Sequence, residues 1–490
     1  MADSTAPGKA GRAPVLVWYR NDLRVHEQAA LSAALATGRP VRALYLLCDG
    51  QWDAHGVAPL RRWYVLESLR ELGEALGRLG VPLDILEVPD FAGVADALAT
   101  YVHRHRVTQV HAGREYPVNE RRRDRAAADR LRAAGVALQG YDHGVLVPPG
   151  LLMTGQGTPY TVFTPYRRSW ERWLASHGPQ PLPTPRAARE PVAFPAASAT
   201  VLRRALARYP LAASLTGHWQ PGEKAARRQL KQFVARQLAD YKAKRDFPAL
   251  QGTSLLSTAL SAGTLSVAEC WHLARAGLQG AASREGAACW IGELCWRDFY
   301  RQIMANFPRL CRGEPFREET RHLRWHQNEA LFQAWCEGRT GYPLVDAAQR
   351  QLLNTGWMHN RLRMVSAMFL TKHLFIDWRR GEDFFMRHLI DGDFAANNGG
   401  WQWSASTGTD AAPYFRVFSP QRQSERFDPE GAFIRAQVPE LAAVAQKWIH
   451  APWQAPVPPA GYPAPVVSHE GVRERVTEAF RAVRETVGKA

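Results

Sequence analysis

Acids, amides, glycines and two indoles are concentrated in one segment of the chain, LIDGDFAANNGGWQWSASTGTDAAPY at 389–414. No packing pattern of a helix or strand requires this composition, and a polar, glycine-containing segment usually shapes a ligand site. Asp391 and Asp393 flank a glycine there, as metal ligands can. The spacing of an EF-hand is absent, so the sequence predicts no metal site.

Two further segments carry residue types suited to binding or proton chemistry. In YKAKRDFPALQGTSLLS (241–257), hydroxyls and backbone N–H groups precede a helical pattern. Such an arrangement can hold phosphate, although a plain helix cap uses the same residues. In WIGELCWRDFYR (290–301), Glu293 precedes Arg297 by four residues and could form a surface ion pair. The surrounding aromatic residues favour instead a carboxylate that faces an aromatic cleft, where its pKa can suit hydrogen bonding or proton transfer.

Tryptophan is unusually frequent: the chain has 17, and nine of them lie between residues 271 and 403. A large aromatic core would account for them, and base stacking, flavin packing or electron transfer are the alternatives. The segment GWMHNRLRM (356–364) adds a basic helical pattern. Asn360 and Met364 share one face of that helix, and Arg361 and Arg363 lie on two others. A solvated basic helix would have the same pattern.

The chain of 490 residues has 62 Lys and Arg against 46 Asp and Glu, which gives a formal net charge of +16. That excess favours a polyanionic partner, with nucleic acid first and a membrane surface second. The six cysteines include no CxxC pair, which argues against a disulfide scaffold, a structural zinc site and an iron–sulfur cluster. Because no apolar run of about 18 residues and no signal-peptide pattern occur, we expect no membrane span and a cytoplasmic protein.

The first 140 residues alternate between strand and helix patterns. Four short apolar runs predict strands at 14–19, 41–48, 82–88 and 107–112. Leucines at 66, 69, 72, 76 and 79 form one helical stripe between the second and third runs. Strands separated by helices predict an α/β, doubly wound parallel sheet that binds ligands at the carboxyl ends of its strands. The glycine fingerprints of dinucleotide and triphosphate domains are missing.

The rest of the chain has a different character. Prolines and small residues interrupt the pattern at 175–200, which predicts an extended linker. From about 223 onward the sequence is helical in pattern and predicts a large all-α C-terminal domain. The predicted organisation is a flexible tail at 1–13, an α/β domain at 14–145, an inter-domain linker at 146–222 and a helical domain at 223–490.

Three long segments carry a family resemblance: WYRNDLRVHEQAAL (18–31), TGYPLVDAAQRQLLNTGWMHNRLRM (340–364) and DGDFAANNGGWQWSASTGTDAAPYFR (391–416). The chain resembles the DNA photolyase/cryptochrome family, most closely the bacterial class I photolyases that repair cyclobutane pyrimidine dimers. The resemblance implies light-dependent repair by electron transfer from reduced FAD, FADH⁻, to a flipped-out dimer. A cryptochrome-type blue-light receptor and a DNA-binding flavoprotein without catalysis are the alternatives. Asn360 and Met364 favour repair, because (6-4) photolyases and animal cryptochromes tend to carry histidines in this region.

The resemblance implies one non-covalent FAD in the helical domain, which would be the α-helical FAD- and DNA-binding catalytic unit. Its phosphates would be held by Tyr241 and the run Thr253, Ser254, Leu255, Leu256 and Ser257. Trp290 and Arg297 would form the pocket wall, and Asn397 would face flavin N5. The segment Asp391, Gly392 and Asp393 would lie along the flavin and adenosine, with Arg363 paired to Asp391. Leu255 departs from the family pattern, because a basic residue is common at that position.

The resemblance also implies a DNA site and an electron-transfer chain. The dimer would be held by Glu293, Trp296, Asn360, Met364 and Trp403, with Glu293 hydrogen-bonded to it. The DNA backbone would be contacted by Arg245, Arg361, Arg416 and Gln423. The chain would run outward from the flavin through Trp401, Trp378 and Trp325. The implied partner is UV-damaged DNA, single- or double-stranded, and we expect a monomer.

A light-harvesting antenna is the last feature that the resemblance implies. His55, Asn119 and Glu120 match folate contacts in the α/β domain, with Cys311 and Arg312 on the helical side. The expected antenna is 5,10-methenyltetrahydrofolate. Arg312 stands where lysine is familiar, and Pro117 interrupts the usual acidic residue. A deazaflavin and an empty cleft therefore remain the alternatives.

Overall fold

The computed structural model describes residues 13–187 and 189–487, without the side chains of 486 and 487. All but the last residue of the predicted tail at 1–13 lies outside the described residues. A five-stranded parallel sheet lies at the N-terminal side, and helices make up most of the C-terminal side. The predicted fold class is confirmed.

The sheet has the strand order β3-β2-β1-β4-β5, and every neighbouring pair is parallel. The first four strands overlap the four predicted apolar runs, whereas the fifth was not predicted, since its sequence ALQGY is not an apolar run and none of its residues is fully buried. The strands are β1 Val15–Tyr19, β2 Val41–Leu47, β3 Leu83–Glu87, β4 Gln109–Gly113 and β5 Ala137–Tyr141. Chain order reverses between β1 and β4, which is where doubly wound sheets bind ligands.

Both faces of the sheet are covered by helices. Alternate residues of β1 belong to different cores, with Val15, Val17 and Tyr19 on one side and Leu16 and Trp18 on the other. The covering helices of this domain are α1 Ala29–Ala36, α2 Asp49–Ala54, α3 Pro59–Arg78, α4 Val94–Arg104 and α5 Val118–Ala133. The predicted leucine stripe lies on α3 and is buried except for its last residue.

The segment predicted as a linker contains three helices, α6 Phe163–His177, α7 Ala196–Ala207 and α8 Ala213–Thr216. Trp170 and Leu174 of α6 pack in a core of the helical domain, whereas Leu202 and Ala205 of α7 pack against the sheet. Of its described residues, 178–195 form no helix or strand, which matches the proline-rich run. The segment therefore packs against both domains and does not form an extended linker between them. The domain boundaries stay a prediction.

The helical domain contains two large cores. Its helices are α9 Glu223–Arg236, α10 Tyr241–Lys244, α11 Ser257–Ala262, α12 Val267–Ala276, α13 Arg284–Asn306, α14 Glu329–Cys336, α15 Pro343–Thr355, α16 Asn360–Met368, α17 Trp378–His388, α18 Phe394–Ala405, α19 Pro420–Phe427, α20 Ala432–Gln437 and α21 Val472–Val487. A π-helical turn, Phe369–His373, follows α16, and six short 3₁₀ turns lie at Gly277–Gln279, Pro308–Arg312, Glu318–His322, Pro439–Leu441, Gln446–Trp448 and Pro452–Gln454.

Across the described ranges, none of the helices combines the length and the apolar character needed to cross a bilayer.

Buried polar contacts join the two domains. The carboxylate of Asp298 on α13 accepts from the backbone N–H groups of Leu146 and Val147, at 2.9 and 3.0 Å, and from Trp170 Nε1 at 2.9 Å. At the end of α11, Gly263 has a φ of 71° and its carbonyl accepts from Arg24 Nη1 at 3.1 Å. A Cβ on Gly263 would overlap the carbonyl oxygen of Asn21, so the backbones of the two domains touch at this point.

We expect Gly263→Ala to lower the free energy of unfolding by about 2–4 kcal/mol, because it adds a backbone clash to the cost of a left-handed conformation. Gly38→Ala is the matched control: Gly38 has a φ of 64°, and a Cβ there would meet nothing within 4 Å. The control should cost about 1 kcal/mol. Urea titration of both variants measures the difference, and equal losses would contradict close contact at Gly263.

Candidate active site

A cavity of about 450 Å³ lies between the α/β domain and the helical domain. Residues near the carboxyl ends of β1, β2 and β4 line one side, including Asn21, Gln51 and Glu115. Arg297 of α13 and the segment Gly392–Ala395 line the other side. The cavity thus lies where the sheet predicted a ligand, and the helical domain supplies its other wall.

The predicted phosphate-holding segment turns into α11 beside an aromatic group. Trp290 Nε1 donates to Ser254 Oγ at 3.3 Å, and Gln229 Nε2 donates to Ser254 O at 2.8 Å. Trp290 and Tyr241 both contact the ring of Phe233. The structure thus brings Tyr241, Ser254 and Trp290 together. Of the rest of the segment, Leu256 is buried, Thr253 is half-buried, and Leu255 and Ser257 are exposed.

Leu255 has a φ of 53°, a left-handed conformation that is uncommon for a leucine, and its side chain is exposed. This is the position at which the sequence departs from the family pattern. Leu255 therefore contributes its backbone to the segment and no charge.

Two arginines of α13 meet one carboxylate at the cavity wall. Arg301 Nη2 pairs with Asp393 Oδ2 at 2.7 Å, and both Arg297 and Arg301 donate to the carbonyl of Gly144 in the preceding segment. Burial alone would raise the pKa of Asp393, yet Arg301 and Arg297 hold it well below its ordinary value. Burial and the neighbouring Arg301 lower the pKa of Arg297 to about 10. Arg297 is not paired with Glu293, so the surface ion pair that the spacing allowed does not form.

A second ion pair, between Arg363 and Asp391, lies just before the start of α18. Arg363 Nη2 donates to both oxygens of Asp391, at 2.8 and 3.0 Å, and the Asp391 carboxylate is almost fully buried. Asn397 Nδ2 donates to the backbone carbonyl of Glu382 at 2.9 Å, which fixes its amide on α18. Burial raises the pKa of Glu382 to about 7.

The predicted dimer site has a charged edge and an aromatic wall. Glu293 pairs with Arg245, so a predicted lesion contact and a predicted DNA contact bind each other. Trp296 stacks on Phe163 with a centroid distance of 3.5 Å and on Tyr300 at 5.5 Å. The Trp296 ring is therefore held rigidly, one turn from Glu293 on the same helix.

Of the remaining predicted DNA residues, Arg361 and Met364 are linked to this edge through Asp246, and the others are known by their exposure alone. Arg361 Nη2 pairs with Asp246 Oδ1 at 2.9 Å, and its Nη1 lies 3.8 Å from the sulfur of Met364. Asn360 and Arg416 are exposed, and Trp403, Met364 and Gln423 are half-buried. The structure shows no direct contact of Arg416 or Gln423 with the Glu293 edge among the contacts described.

The three tryptophans of the predicted chain lie in or against one core. Trp401 and Trp378 are buried, and Trp325 is partly buried. The indole of Trp401 lies against Gly381, three residues after Trp378 on α17. Trp325 contacts Phe375, three residues before Trp378, with ring centroids 5.0 Å apart. Trp401 and Trp325 thus each lie against a residue three positions from Trp378, and the order of the electron-transfer chain stays a prediction.

The predicted antenna residues line the cavity on the side of the α/β domain. His55 Nε2 accepts from Gln51 Nε2 at 2.7 Å and from Asn119 Nδ2 at 3.1 Å. Glu120 lines the same wall, and burial followed by the nearby Glu115 raises its pKa to about 7. Cys311 lines the cavity as expected, whereas Arg312 is exposed and is not among its lining residues.

Sequence reasoning missed four residues of the site: Arg301, Glu382, Trp335 and Asp246. Arg301 follows Arg297 by one helical turn, a spacing that could have indicated a second cation on that face. Trp335 contacts Trp401 with centroids 5.9 Å apart and was counted only as one of nine tryptophans. Nothing in the sequence signals the contacts of Glu382 and Asp246, because each depends on distant segments.

In the part of the chain that the structure describes, no three His, Cys, Asp or Glu side chains are grouped so that they could hold a metal ion. All six cysteines there are free.

We expect Arg301→Leu to cost about 3 kcal/mol of unfolding free energy at neutral pH, because it leaves the partly buried Asp393 with a weaker cationic environment. A carboxyl group whose pKa is lower in the folded than in the unfolded state stabilises the fold at pH values above its unfolded-state pKa, near 4. That stabilisation is lost as the pH falls through the folded-state pKa. The gap between wild type and variant should therefore narrow below about pH 4. Arg167→Leu, in an exposed pair with Glu171, should cost less than about 1 kcal/mol. A gap independent of pH would contradict the role of the pair.

Two family models match the chain: "DNA photolyase" over residues 15–186 and "FAD binding domain of DNA photolyase" over residues 290–482. The second matched region contains most of α13, the Asp391 pair and the three tryptophans. A curated relative, the deoxyribodipyrimidine photo-lyase of Escherichia coli, is 44% identical over 474 residues that cover 96% of this chain and 99% of the relative.

Solved structures with the same fold include three that cover 96–98% of this chain and the whole of their own chains. A class III photolyase from Agrobacterium tumefaciens has a TM-score of 0.88 at 34% identity. An archaeal photolyase from Sulfolobus tokodaii with two FAD molecules has a TM-score of 0.81 at 28% identity, and a Synechocystis cryptochrome has 0.81 at 29%. With a relative this similar over nearly its full length, and with both of these regions matched, the chain belongs to the DNA photolyase family.

Proposed function

We propose that this protein is a deoxyribodipyrimidine photo-lyase, which uses light to split cyclobutane pyrimidine dimers in DNA. One observation carries the proposal: α13 joins the substrate edge to the flavin-binding segments. Glu293 lies three residues after Trp290, which contacts the phosphate-holding segment, and four before Arg297, which lines the cavity. A dimer at Glu293 and a flavin beside Trp290 and Arg297 would therefore be neighbours, as short-range electron transfer requires.

The side chains fit a flavin adenine dinucleotide. Hydroxyls of Thr253 and Ser254 and the backbone that enters α11 suit phosphates, and the Thr258 hydroxyl just beyond is buried without a partner in the described structure. The indole nitrogen of Trp401 is likewise buried and unpartnered. Arg363 and Asp391, with Arg297, Gly392 and Asp393, would hold the rest of the cofactor. FAD held there would supply, in its reduced and light-excited form, the electron that opens the cyclobutane ring, and that electron would return to the flavin afterwards.

The chain's own residues prepare the substrate. A dimer pairs poorly and leaves the duplex at lower cost than an intact base pair. Trp296, held by Phe163 and Tyr300, and Trp403 offer flat walls to its rings. Glu293 would hydrogen-bond the polar edge of the dimer and stabilise charge as it develops there. Arg245 already pairs with Glu293, so it fixes the carboxylate before the substrate arrives. Arg361, Arg416 and Gln423 would contact the backbone around the flipped bases.

The relatives favour repair over signalling. The E. coli relative that matches nearly the full chain is named a photo-lyase, at 44% identity, whereas the cryptochrome neighbour is 29% identical. Asn360 and Met364 would lie at the dimer edge, where histidines would favour the other branches. The expected monomer and the choice between single- and double-stranded DNA stay predictions.

We further propose a folate antenna at His55, Asn119 and Glu120. One carboxylate oxygen of Glu120 is buried without a partner among the described residues, and the pKa near 7 lets this group donate or accept at neutral pH. Both properties suit the amide and amine edge of a pterin. The archaeal neighbour carries two FAD molecules, so a second flavin is the competing occupant. Chromophore released from purified protein, separated by chromatography, decides between folate, flavin and none.

Repair is tested with purified, photoreduced protein, UV-irradiated oligothymidine and blue light, by following the recovery of pyrimidine absorbance. We expect Glu293→Ala to keep its flavin and to lower repair per absorbed photon about tenfold, the effect of about 1.4 kcal/mol of lost charge stabilisation. Glu285→Ala is the control, because Glu285 lies on the same helix in an exposed pair with Lys242. Absence of repair by the wild type would refute the proposed function, and loss of flavin from Glu293→Ala would make Glu293 a structural residue.

We expect Trp325→Phe to repair normally when it is reduced beforehand but to lose light-driven reduction of its oxidised flavin. Repair returns the electron and does not need the tryptophans, whereas reduction needs an electron from the surface. Trp325 is the most exposed of the three tryptophans, and its ring packs against Phe375, three residues before Trp378. The measurement is the rate of flavin bleaching under blue light with a thiol donor. Trp448→Phe is the control, and bleaching at the wild-type rate in Trp325→Phe would remove Trp325 from the chain.

A further inference from the structure

Five side chains form a connected row at the rim of the dimer site, which we call the rim row: Glu293, Arg245, Asp246, Arg361 and Met364. Arg245 pairs with Glu293, and its Nε lies 3.9 Å from Asp246 Oδ1. The same Asp246 oxygen accepts from Arg361 Nη2 at 2.9 Å, and Arg361 Nη1 reaches the Met364 sulfur at 3.8 Å. Acids and bases alternate along the row, and Asp246 is its central member.

We propose that Asp246 is a positioning residue that sets the discrimination between dimer-containing and intact DNA by controlling Arg361. The inference rests on the proposed function, in which Arg245 and Arg361 contact DNA. Asp246 itself would touch neither the dimer nor the flavin. It acts through the guanidinium groups with which it pairs. It reduces the number of N–H groups that are free to bind a phosphate, and it fixes the direction in which they point.

The geometry restricts Arg361 to few free donors. A guanidinium binds a phosphate most strongly through two parallel N–H groups, and Asp246 takes one of the two N–H groups of Nη2, which removes one of the two-donor edges. The Nε group is buried without a partner in the described structure, and the guanidinium lies over the Phe427 ring at 4.5 Å. The second N–H of Nη2 and the N–H groups of Nη1, next to Met364, are then the donors that remain for DNA. A phosphate that approaches from any other direction meets the Asp246 charge.

That restriction affects intact and damaged DNA differently. Intact duplex keeps its bases stacked and can present phosphates to the rim in many positions, so the carboxylate repels it. A flipped dimer fixes the flanking phosphates, and in this arrangement the free N–H groups of Arg361 make their contact without displacing Asp246. The carboxylate thus weakens non-specific binding more than specific binding, which is how an unfavourable charge produces specificity.

The test measures dissociation constants of wild type and Asp246→Asn for one duplex with and without a single dimer, at several salt concentrations. We expect intact DNA to bind the variant about threefold more tightly at low salt, with a steeper salt dependence, because a repelling charge is gone. Binding of the dimer should change by less than about twofold, because the freed Arg361 loses its position as the charge is removed. The ratio of the two constants should therefore fall, and Asp246→Glu should restore part of it.

Asp240→Asn is the matched control. Asp240 lies six residues earlier in an exposed pair with Lys244, so this variant changes net charge equally without touching Arg361. Its discrimination should equal that of the wild type. In an Arg361→Ala background, Asp246→Asn should no longer change the ratio, because the residue through which it acts is absent. Flavin absorbance of each variant verifies folding.

Three results would overturn the inference: equal changes for both DNAs in Asp246→Asn, the same behaviour in Asp240→Asn, or a persistent effect without Arg361. Each of them leaves the proposed function standing if the wild type prefers dimer-containing DNA and Arg361→Ala binds it more weakly. A wild type that binds both DNAs equally would instead refute the DNA assignment on which the inference rests.

Discussion

The placement of the active site depends on one carboxylate, that of Asp393. One of its oxygens accepts from the Ala396 N–H at the start of α18, and the other pairs with Arg301 of α13. Arg301 also reaches Gly144, in the segment that leaves the α/β domain. A single, partly buried charge therefore fixes the start of the helix that carries Asn397, relative to α13 and to the first domain. The low pKa of Asp393 keeps the pair charged across the physiological range.

The helix α13 positions three parts of the proposed site relative to one another. Along its 23 residues it contacts the phosphate-holding segment through Trp290, the dimer edge through Glu293 and the cavity through Arg297. Because a helix fixes the spacing of its side chains, the relative positions of cofactor and substrate follow from its sequence once its two ends are held. Asp298 holds it to the segment after β5, and Gly263 allows the domains to approach closely nearby.

Charge at the DNA face is balanced within the protein. A net charge of +16 attracts DNA without placing it. At the rim, however, Arg245 and Arg361 are both paired with carboxylates, and Arg416 is exposed. The general attraction therefore comes from the surface, whereas the arginines of the proposed dimer site are held in position by acids. Such an arrangement favours a fixed, particular DNA geometry over tight binding of any DNA.

The sequence alone determined the parallel sheet, its first four strands, the helical character of the second half and, through long rare motifs, the family. Those features are local in sequence, because strand and helix periodicity and motif content need no knowledge of distant contacts. It did not determine the helices within the linker, the fifth strand β5, or which partner each charged side chain takes. Glu293 was free to pair with Arg297 four residues away and pairs instead with Arg245, 48 residues earlier. Such choices belong to the tertiary structure, since a buried charge takes the partner that packing brings to it, and sequence spacing does not encode that distance.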